Sequence, residues 1–412
     1  MRHRERPEAR PPEPGTTPRR PALEVADIVR QHGEAYRHEH VLSSVQAAAL
    51  RSIAVCRTSE LGGHLDECPK GDFVRPSYNS CGHRNCPKCQ ALEQVRWIES
   101  RKERLLPVPY FHQVFTLPHP LNPLILRNPK AMYDLLFASV TDALLEVATN
   151  PRHLGGIPAS TLVLHTWSRD LRLHPHLHTI VSGGGLSPTG DWVASREGYL
   201  LPRRVLASLL RGKYLAGLRK LRDQGRLDLG GGCAHLADRK TFDRLLSDLY
   251  TTRWHVYAKQ AFAGPENVLE YLGRYTHRTG ISNARLVSHD DQSVVFRTKE
   301  KKQVALPPEE FLRRFLLHVL PPRFVKLRHC GLLAASNVNT RLVQARQALH
   351  VQATPAGFAA YEGWRDLVHR LTGVDPMRCP MCGQTMVRRE LPKGVEYHPV
   401  GVTAAPRPED SS

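Results

Sequence analysis

What this chain is short of narrows it before any motif is read. It has no apolar run of transmembrane length, and its hydrophobic content is 41%, so a soluble, cytoplasmic protein is expected. Its opening residues are polar and proline-rich and lack the apolar core of a signal peptide. Neither a basic amphipathic helix nor a lipidation signal points to a membrane. Acidic residues are scarce: 39 Asp and Glu stand against 58 Lys and Arg, a net charge of +19. An excess of that size asks for a polyanionic partner, and nucleic acid is the first choice. The nine cysteines are an odd number crowded at short spacings, which suits metal ligands better than a disulfide framework. At 412 residues there is room for two or three domains, each with its own core.

The densest chemistry lies in His174-Pro175-His176-Leu177-His178, which runs into the β-branched stretch Thr179-Ile180-Val181. An extended backbone puts His174, His176 and His178 on one face and Leu177 and Thr179 on the other. Two imidazoles spaced two apart on a strand hold a divalent ion and leave positions open for substrate and water. The preceding run Thr161–Trp167 reads as a strand joined to this one by Ser168–Leu173, a hairpin-like pair that brings His165 towards the same point. A third ligand is therefore sought first at His165, with His112 and Gln113 of the strand near 110–117 as competitors.

Cys56, Cys68, Cys81, Cys86 and Cys89 form a cluster with His64 and His83. Cys86-Pro87-Lys88-Cys89 has zinc-knuckle spacing, two thiolates in one tight turn. Two more ligands must come from elsewhere: Cys68 and Cys81 are the choice, with His64, His83 and Cys56 as substitutes. Cys379-Pro380-Met381-Cys382 is a second knuckle with only two cysteines, to be completed by His398 or a partner from elsewhere.

Residues 1–22 mix prolines, arginines and glutamates, a composition that buries nothing and reads as a disordered basic arm. A helical pattern follows from Leu23 to about Ala54, divided at Gly33. Residues 130–148 have the apolar positions of an amphipathic helix. Arg203 to Arg222 reads as a basic helix, a solvated face that also suits a phosphate backbone. Lys299, Lys301 and Lys302 crowd a turn between strands and are placed to touch DNA phosphates. In Glu270-Tyr271-Leu272-Gly273-Arg274-Tyr275-Thr276-His277-Arg278 a helix projects Tyr271 and Tyr275 from one face, Cβ atoms ~6 Å apart. Arg274 and Arg278 repeat at the same spacing and suit phosphate oxygens.

His176-Leu177-His178, followed by Tyr271 and Tyr275 and preceded by the cysteine cluster, resembles the two-tyrosine rolling-circle transposases of the insertion-sequence ninety-one family, in the HUH endonuclease superfamily. The resemblance covers about residues 30–335. It is carried also by Cys56-Arg57-Thr58, Tyr78-Asn79-Ser80-Cys81, Cys86-Pro87-Lys88-Cys89-Gln90, Phe115-Thr116-Leu117-Pro118 and Arg314-Phe315-Leu316-Leu317-His318. Two departures stand out. Cys68-Pro69-Lys70-Gly71 replaces the family's usual Cys-x-x-Cys, and Asn85 replaces the histidine usual before Cys86.

The resemblance implies an α+β fold, an HUH-type central antiparallel sheet flanked by helices with a small N-terminal helical and zinc-binding domain. The expected domains are 1–22 as arm, 23–106 as helical and zinc-binding, 107–335 as catalytic, 336–400 as a helical segment with the second knuckle, and 401–412 as a disordered tail. It implies a metal-dependent transposase that nicks and rejoins single-stranded or locally melted DNA at element ends and target through a 5′-phosphotyrosine. His176, His178 and His165 would hold Mg²⁺ or Mn²⁺. Tyr271 and Tyr275 would be the nucleophiles, and Cys68, Cys81, Cys86 and Cys89, with His64, the structural Zn²⁺ ligands. Arg274, Arg278, Lys299, Lys301 and Lys302 would bind DNA. Host replication machinery is the expected further partner, and a bacterial, nucleoid-associated location follows. A plasmid-type replication initiator and a non-catalytic zinc-dependent DNA-binding protein are the alternatives.

Overall fold

The computed structural model describes residues 22–71, 73–89, 94–98, 104–198, 200–262, 268, 280–298, 302–351 and 363–397. The chain divides into two units, one taking residues 1–24, 55–80 and 359–412, the other residues 25–54 and 81–358.

The smaller unit is built from segments far apart in the chain. Strand β1 (Gly63–Glu67) forms a hairpin with β2 (Val74–Tyr78) and pairs on its other edge with the last strand, β13 (Val387–Leu391), both antiparallel. The register sets Asp66 opposite Arg75 on one neighbour and Arg388 on the other. Its fully buried carboxylate accepts from Arg75 at 2.9 Å and from Arg388 at 2.7 Å. Burial alone pushes this carboxyl up; the two guanidiniums outweigh it and hold the group below its ordinary value. Asp66→Ala removes the carboxylate that both arginines share, leaving Arg75, among the described residues, only the Pro376 carbonyl, and is expected to cost about 2 kcal/mol, read as a lowered denaturation midpoint. An unchanged midpoint would show that the paired charges do not hold the three strands. The short helix α9 (Trp364–Thr372) ends in a left-handed glycine, Gly373 at φ +70°.

The larger unit is organised on a five-stranded, wholly antiparallel sheet. It contains β3 (Tyr110–Thr116), β4 (Ala159–Trp167), β5 (Leu173–Ser182), β8 (His255–Phe262) and β12 (Leu327–Gly331), in the order β12-β4-β5-β3-β8. Alternation sends Phe111, Phe115, Leu162, Leu164, Leu177 and Val181 to one face. There they pack on α3 (Asn122–Arg127), α4 (Pro129–Thr149), α5 (Arg203–Asp223) and α6 (Arg239–Thr251). The opposite face carries the histidines and a second apolar cluster that includes Tyr110, Val163, Ile180 and Leu332. A two-stranded ribbon, β6 (Gly184–Leu186) with β7 (Trp192–Ala194), and a meander of β9 (Leu286–His289), β10 (Val294–Arg297) and β11 (Gln303–Leu306) complete the strands. Helices α7 (Pro308–Leu316) and α8 (Arg341–Ala348) follow β11 and β12. The α+β class and the central antiparallel sheet are as expected.

One expectation from local pattern gives way to tertiary packing. The N-terminal helical pattern is two helices, α1 (Val25–Glu39) and α2 (Ser44–Ala54), broken after Glu39 and not at Gly33. Both belong to the larger unit. Val25 N–H donates to Asn283 Oδ1 at 3.1 Å, Gln46 Nε2 donates to the Leu316 carbonyl at 3.1 Å, and His40 lies 3.0 Å from Glu309. The basic helix α5 carries the expected solvated face, with Arg203, Arg204, Arg219 and Lys220 exposed, and some of its cations also pair within the chain. Lys213 pairs with Glu146, Arg219 with Asp243, and Arg211 lies 4.2 Å over the Tyr250 ring while donating to the Tyr250 carbonyl. Among the described residues no helix is long and apolar enough to cross a membrane.

Candidate functional site

The β3–β5 and β4–β5 registers assemble the histidine site. His165 of β4 stands opposite His176 of β5, while Val163 and Val114 flank His178. The ring nitrogens of His165, His176 and His178 come within 4.8 Å of one another. His176 Nδ1–H donates to the His174 carbonyl at 2.6 Å, which fixes the tautomer and leaves the Nε2 lone pair for the site, 3.1 Å from His178 Nε2. His174 contributes that carbonyl and is not in the ligand group; its ring lies 5.4 Å from that of His119. Of the competitors for third ligand, Gln113 is excluded by alternation: it pairs with Thr179 and is fully buried on the helix-covered side. His112 shares the site face and acts on a ligand instead, its Nε2 lying 2.8 Å from His178 Nδ1.

Burial pulls His176 down to about 4, and burial with the neighbouring His176 and Lys259 charges does the same to His112. Both rings are therefore neutral near pH 7, the form that binds metal. Without an ion, protons chain from His112 Nε2–H to His178 Nδ1 and from His178 Nε2–H to His176 Nε2. An ion taken by both Nε2 atoms requires the His178 proton on Nδ1, so that His178 donates and His112 accepts. Three convergent neutral imidazoles fit a divalent transition ion, Mn²⁺ more readily than the oxygen-seeking Mg²⁺.

Behind the ligands lies a supporting layer. The His165 ring stacks on Trp167 at 4.5 Å, and Trp167 meets His318 edge-on at 5.8 Å. His318 is buried, donates from Nε2 to the Leu171 carbonyl at 2.9 Å and accepts at Nδ1 from the Thr166 hydroxyl at 3.1 Å. Asn85 Nδ2 donates to the His318 carbonyl at 3.2 Å, and Arg84 Nη1 donates to the Phe324 carbonyl at 2.8 Å. These bonds tie the cysteine loop to the segment after α7. Burial lowers His318 from 6.5 to about 4. Between those values only the unfolded chain takes the proton, so stability is full above about pH 6.5 and falls by about 1.4 kcal/mol per pH unit down to about pH 4. His318→Gln is expected to be less stable at pH 7 but to lose less between pH 6.5 and 5. Denaturant midpoints measured across that range would contradict this if the two slopes were equal.

The cysteines sort into two groups. Cys81, Cys86 and Cys89 in the larger unit bring their thiols within 4.8 Å of one another, Cys81 and Cys89 Sγ at 3.7 Å. The His83 N–H donates to Cys81 Sγ at 3.5 Å, so His83 serves the loop's backbone. Cys68 does not join them: pairing of β1 with β13 carries it to Cys379 and Cys382 in the smaller unit, all three thiols within 4.8 Å. His64 sits on β1 opposite Ser77 and Glu390 and belongs to no ligand group among the described residues. The single set of Cys68, Cys81, Cys86 and Cys89 with His64 is thus divided, because a long-range strand pairing decides where Cys68 lies.

Tyr271, Arg274, Tyr275, Arg278, Lys299 and Lys301 lie outside the described residues, as do the arm at 1–21 and the tail beyond 397. Val268, three residues before Tyr271, is fully buried in the cluster with Val163, Ile180 and Leu332, on the histidine face. Lys302 is exposed in the turn before β11, where its carbonyl accepts from Thr298 N–H at 2.7 Å.

A family model described as "Transposase zinc-binding domain" matches residues 28–117, and one described as "Putative transposase" matches residues 160–341. A protein of Sinorhizobium fredii (strain NBRC 101917 / NGR234) named "Putative transposase y4qJ" is 42% identical over 386 residues, 91% of this chain and 97% of that protein. The chain belongs to the insertion-sequence ninety-one family of transposases. The transposase is also 28% identical over 371 residues, 88% of each chain, to "Transposase for insertion sequence element IS801" of Pseudomonas savastanoi pv. phaseolicola. No solved structure matches it. As a transposase it acts on DNA, which accounts for its net charge of +19. The zinc-binding domain of the family and the grouped thiols together support structural zinc in the transposase. Sequence reading missed the supporting roles of Asn85 and His318. The only available signal was a polar residue inside an otherwise apolar or cysteine-rich motif.

Proposed function

We propose that this transposase nicks and rejoins single-stranded or locally melted DNA at the ends of its element through a 5′-phosphotyrosine, in rolling-circle transposition. The observation that carries the reading is the convergence of His165, His176 and His178 on one face of the antiparallel sheet. Val268, three residues before Tyr271 in the sequence, is buried on that same face. The three imidazoles hold a divalent ion, Mn²⁺ or Mg²⁺, which when bound polarises the scissile phosphate and offsets its developing charge. His112 sets the His178 tautomer, and Trp167 holds the His165 ring.

Tyr271 and Tyr275 are the nucleophiles. The phenol oxygen of one bonds to phosphorus, the bond to the 3′ oxygen breaks, and the phenolic proton is lost as a 3′-hydroxyl forms. The ester keeps the energy of the broken bond, so a 3′-hydroxyl attacking it rejoins a strand without ATP. A second tyrosine lets one end stay attached while the other is cut. Arg274, Arg278, Lys299, Lys301 and Lys302 supply phosphate contacts. Cys81, Cys86 and Cys89 contribute to a structural Zn²⁺ site. The protein works in the bacterial cytoplasm at the nucleoid, with host replication machinery restoring the second strand.

The test is to incubate the purified protein with labelled single-stranded DNA from the element's ends, with Mn²⁺, and to separate the products on denaturing gels. A covalent protein–DNA species, absent with EDTA, is expected. Binding to correct end sequences with metal present but no covalent species would sink the reading and leave a zinc-dependent DNA-binding protein.

A further inference from the structure

Residues 68–71 and 379–383 make the same turn. In Cys379-Pro380-Met381-Cys382-Gly383, the glycine has φ +73° and its N–H donates back to the Cys379 carbonyl at 2.9 Å. In Cys68-Pro69-Lys70-Gly71, the glycine has φ +78° and its N–H donates to the Cys68 carbonyl at 2.8 Å. The left-handed glycine and the returning hydrogen bond are present in both. The first turn runs Cys-x-x-Gly where the second runs Cys-x-x-Cys-Gly, so it offers one thiol where the second offers two.

The pairing of β1 with β13 brings the two turns face to face. Cys68 Sγ and Cys382 Sγ are 3.4 Å apart, and the three thiols stay within 4.8 Å of one another. Those limits bracket the ~3.8 Å edge of a tetrahedron with Zn–S bonds of ~2.3 Å. Phe73, Met377 and Met386 pack around the cluster, with Cys68 and Cys379 buried and Cys382 partly exposed. A Cβ on Gly71 would meet nothing within 4 Å among the described residues.

We propose that Cys68, Cys379 and Cys382 form a zinc site of their own, separate from that of Cys81, Cys86 and Cys89, with three thiolates and, among the described residues, no fourth protein ligand, which leaves a position for water. Each thiol gives up its proton on binding. The ion clamps the C-terminal knuckle, and with it β13, to the β1–β2 hairpin. Its open position makes the clamp exchangeable where a four-thiolate site would be closed.

The experiment uses the full-length protein purified with zinc and reductant, and measures zinc per chain and its rate of loss to a chelator. Cys382→Ser is expected to hold one zinc fewer than the unaltered chain. A cysteine inserted between Lys70 and Gly71 is expected to leave the zinc content unchanged and to slow release of the faster-leaving ion by about tenfold or more, since it closes the site. Unchanged zinc content in Cys382→Ser would overturn the site. Unchanged release kinetics in the insertion variant would overturn the open position. Two titratable thiols fewer than the sequence provides in the protein as purified, regained on reduction with no gain of bound zinc, would assign a Cys68–Cys382 disulfide in its place.

Discussion

Tyr271→Phe/Tyr275→Phe removes the covalent protein–DNA species, with cleavage of end-sequence DNA falling by about 10³-fold or more and DNA affinity little changed. Phenylalanine keeps the ring and deletes only the oxygen that would bond to phosphorus. A phenol with a pKa of about 10 is less than about 1% ionised at pH 7.5, so the attack depends on polarisation of the phosphate and on loss of the phenolic proton as the bond forms. Each single variant is expected to retain one cut and to lose the linked second transfer, which separates one-tyrosine nicking from two-tyrosine strand exchange. Cleavage persisting in the double variant would transfer the role of nucleophile to water or to another side chain.

His176→Ala is expected to lower adduct formation by about 10³-fold, the equivalent of about 4 kcal/mol of charge stabilisation at the phosphate. His176 is the ligand whose tautomer is set from behind by the His174 carbonyl, and its ring is nine-tenths buried, so water does not replace it as a matching donor. His112→Ala gives a different result. It removes the partner of His178 Nδ1 but no ligand, so metal affinity falls about 10–100-fold and raised Mn²⁺ restores the rate. Full activity of His176→Ala at limiting Mn²⁺ would remove the metal from the mechanism. An equal, unrestorable loss in His112→Ala would place His112 among the ligands.

The sequence alone determined the features that local spacing encodes. A period of two in an extended run put His176 and His178 on one face, and a short link after Trp167 made β4 its hairpin neighbour, which brought His165 with it. The excess of cations named the kind of partner, and the Cys86–Cys89 spacing named a thiolate knuckle. Tertiary structure decided what depends on contacts between segments far apart in the chain. Gln113 and His112 are adjacent and looked alike as third ligands until the β3–β5 register sent one to each face. The cations of α5 read as a solvated face that also suits a phosphate backbone; which of them engage Glu146, Asp243 and the Tyr250 ring only the packing of α5 shows. Cys68 looked like a ligand for its near neighbours in sequence. The pairing of β1 with β13 gave it Cys379 and Cys382 instead, because strand partners are chosen by register, packing and a buried Asp66 between two arginines, none of which local spacing records.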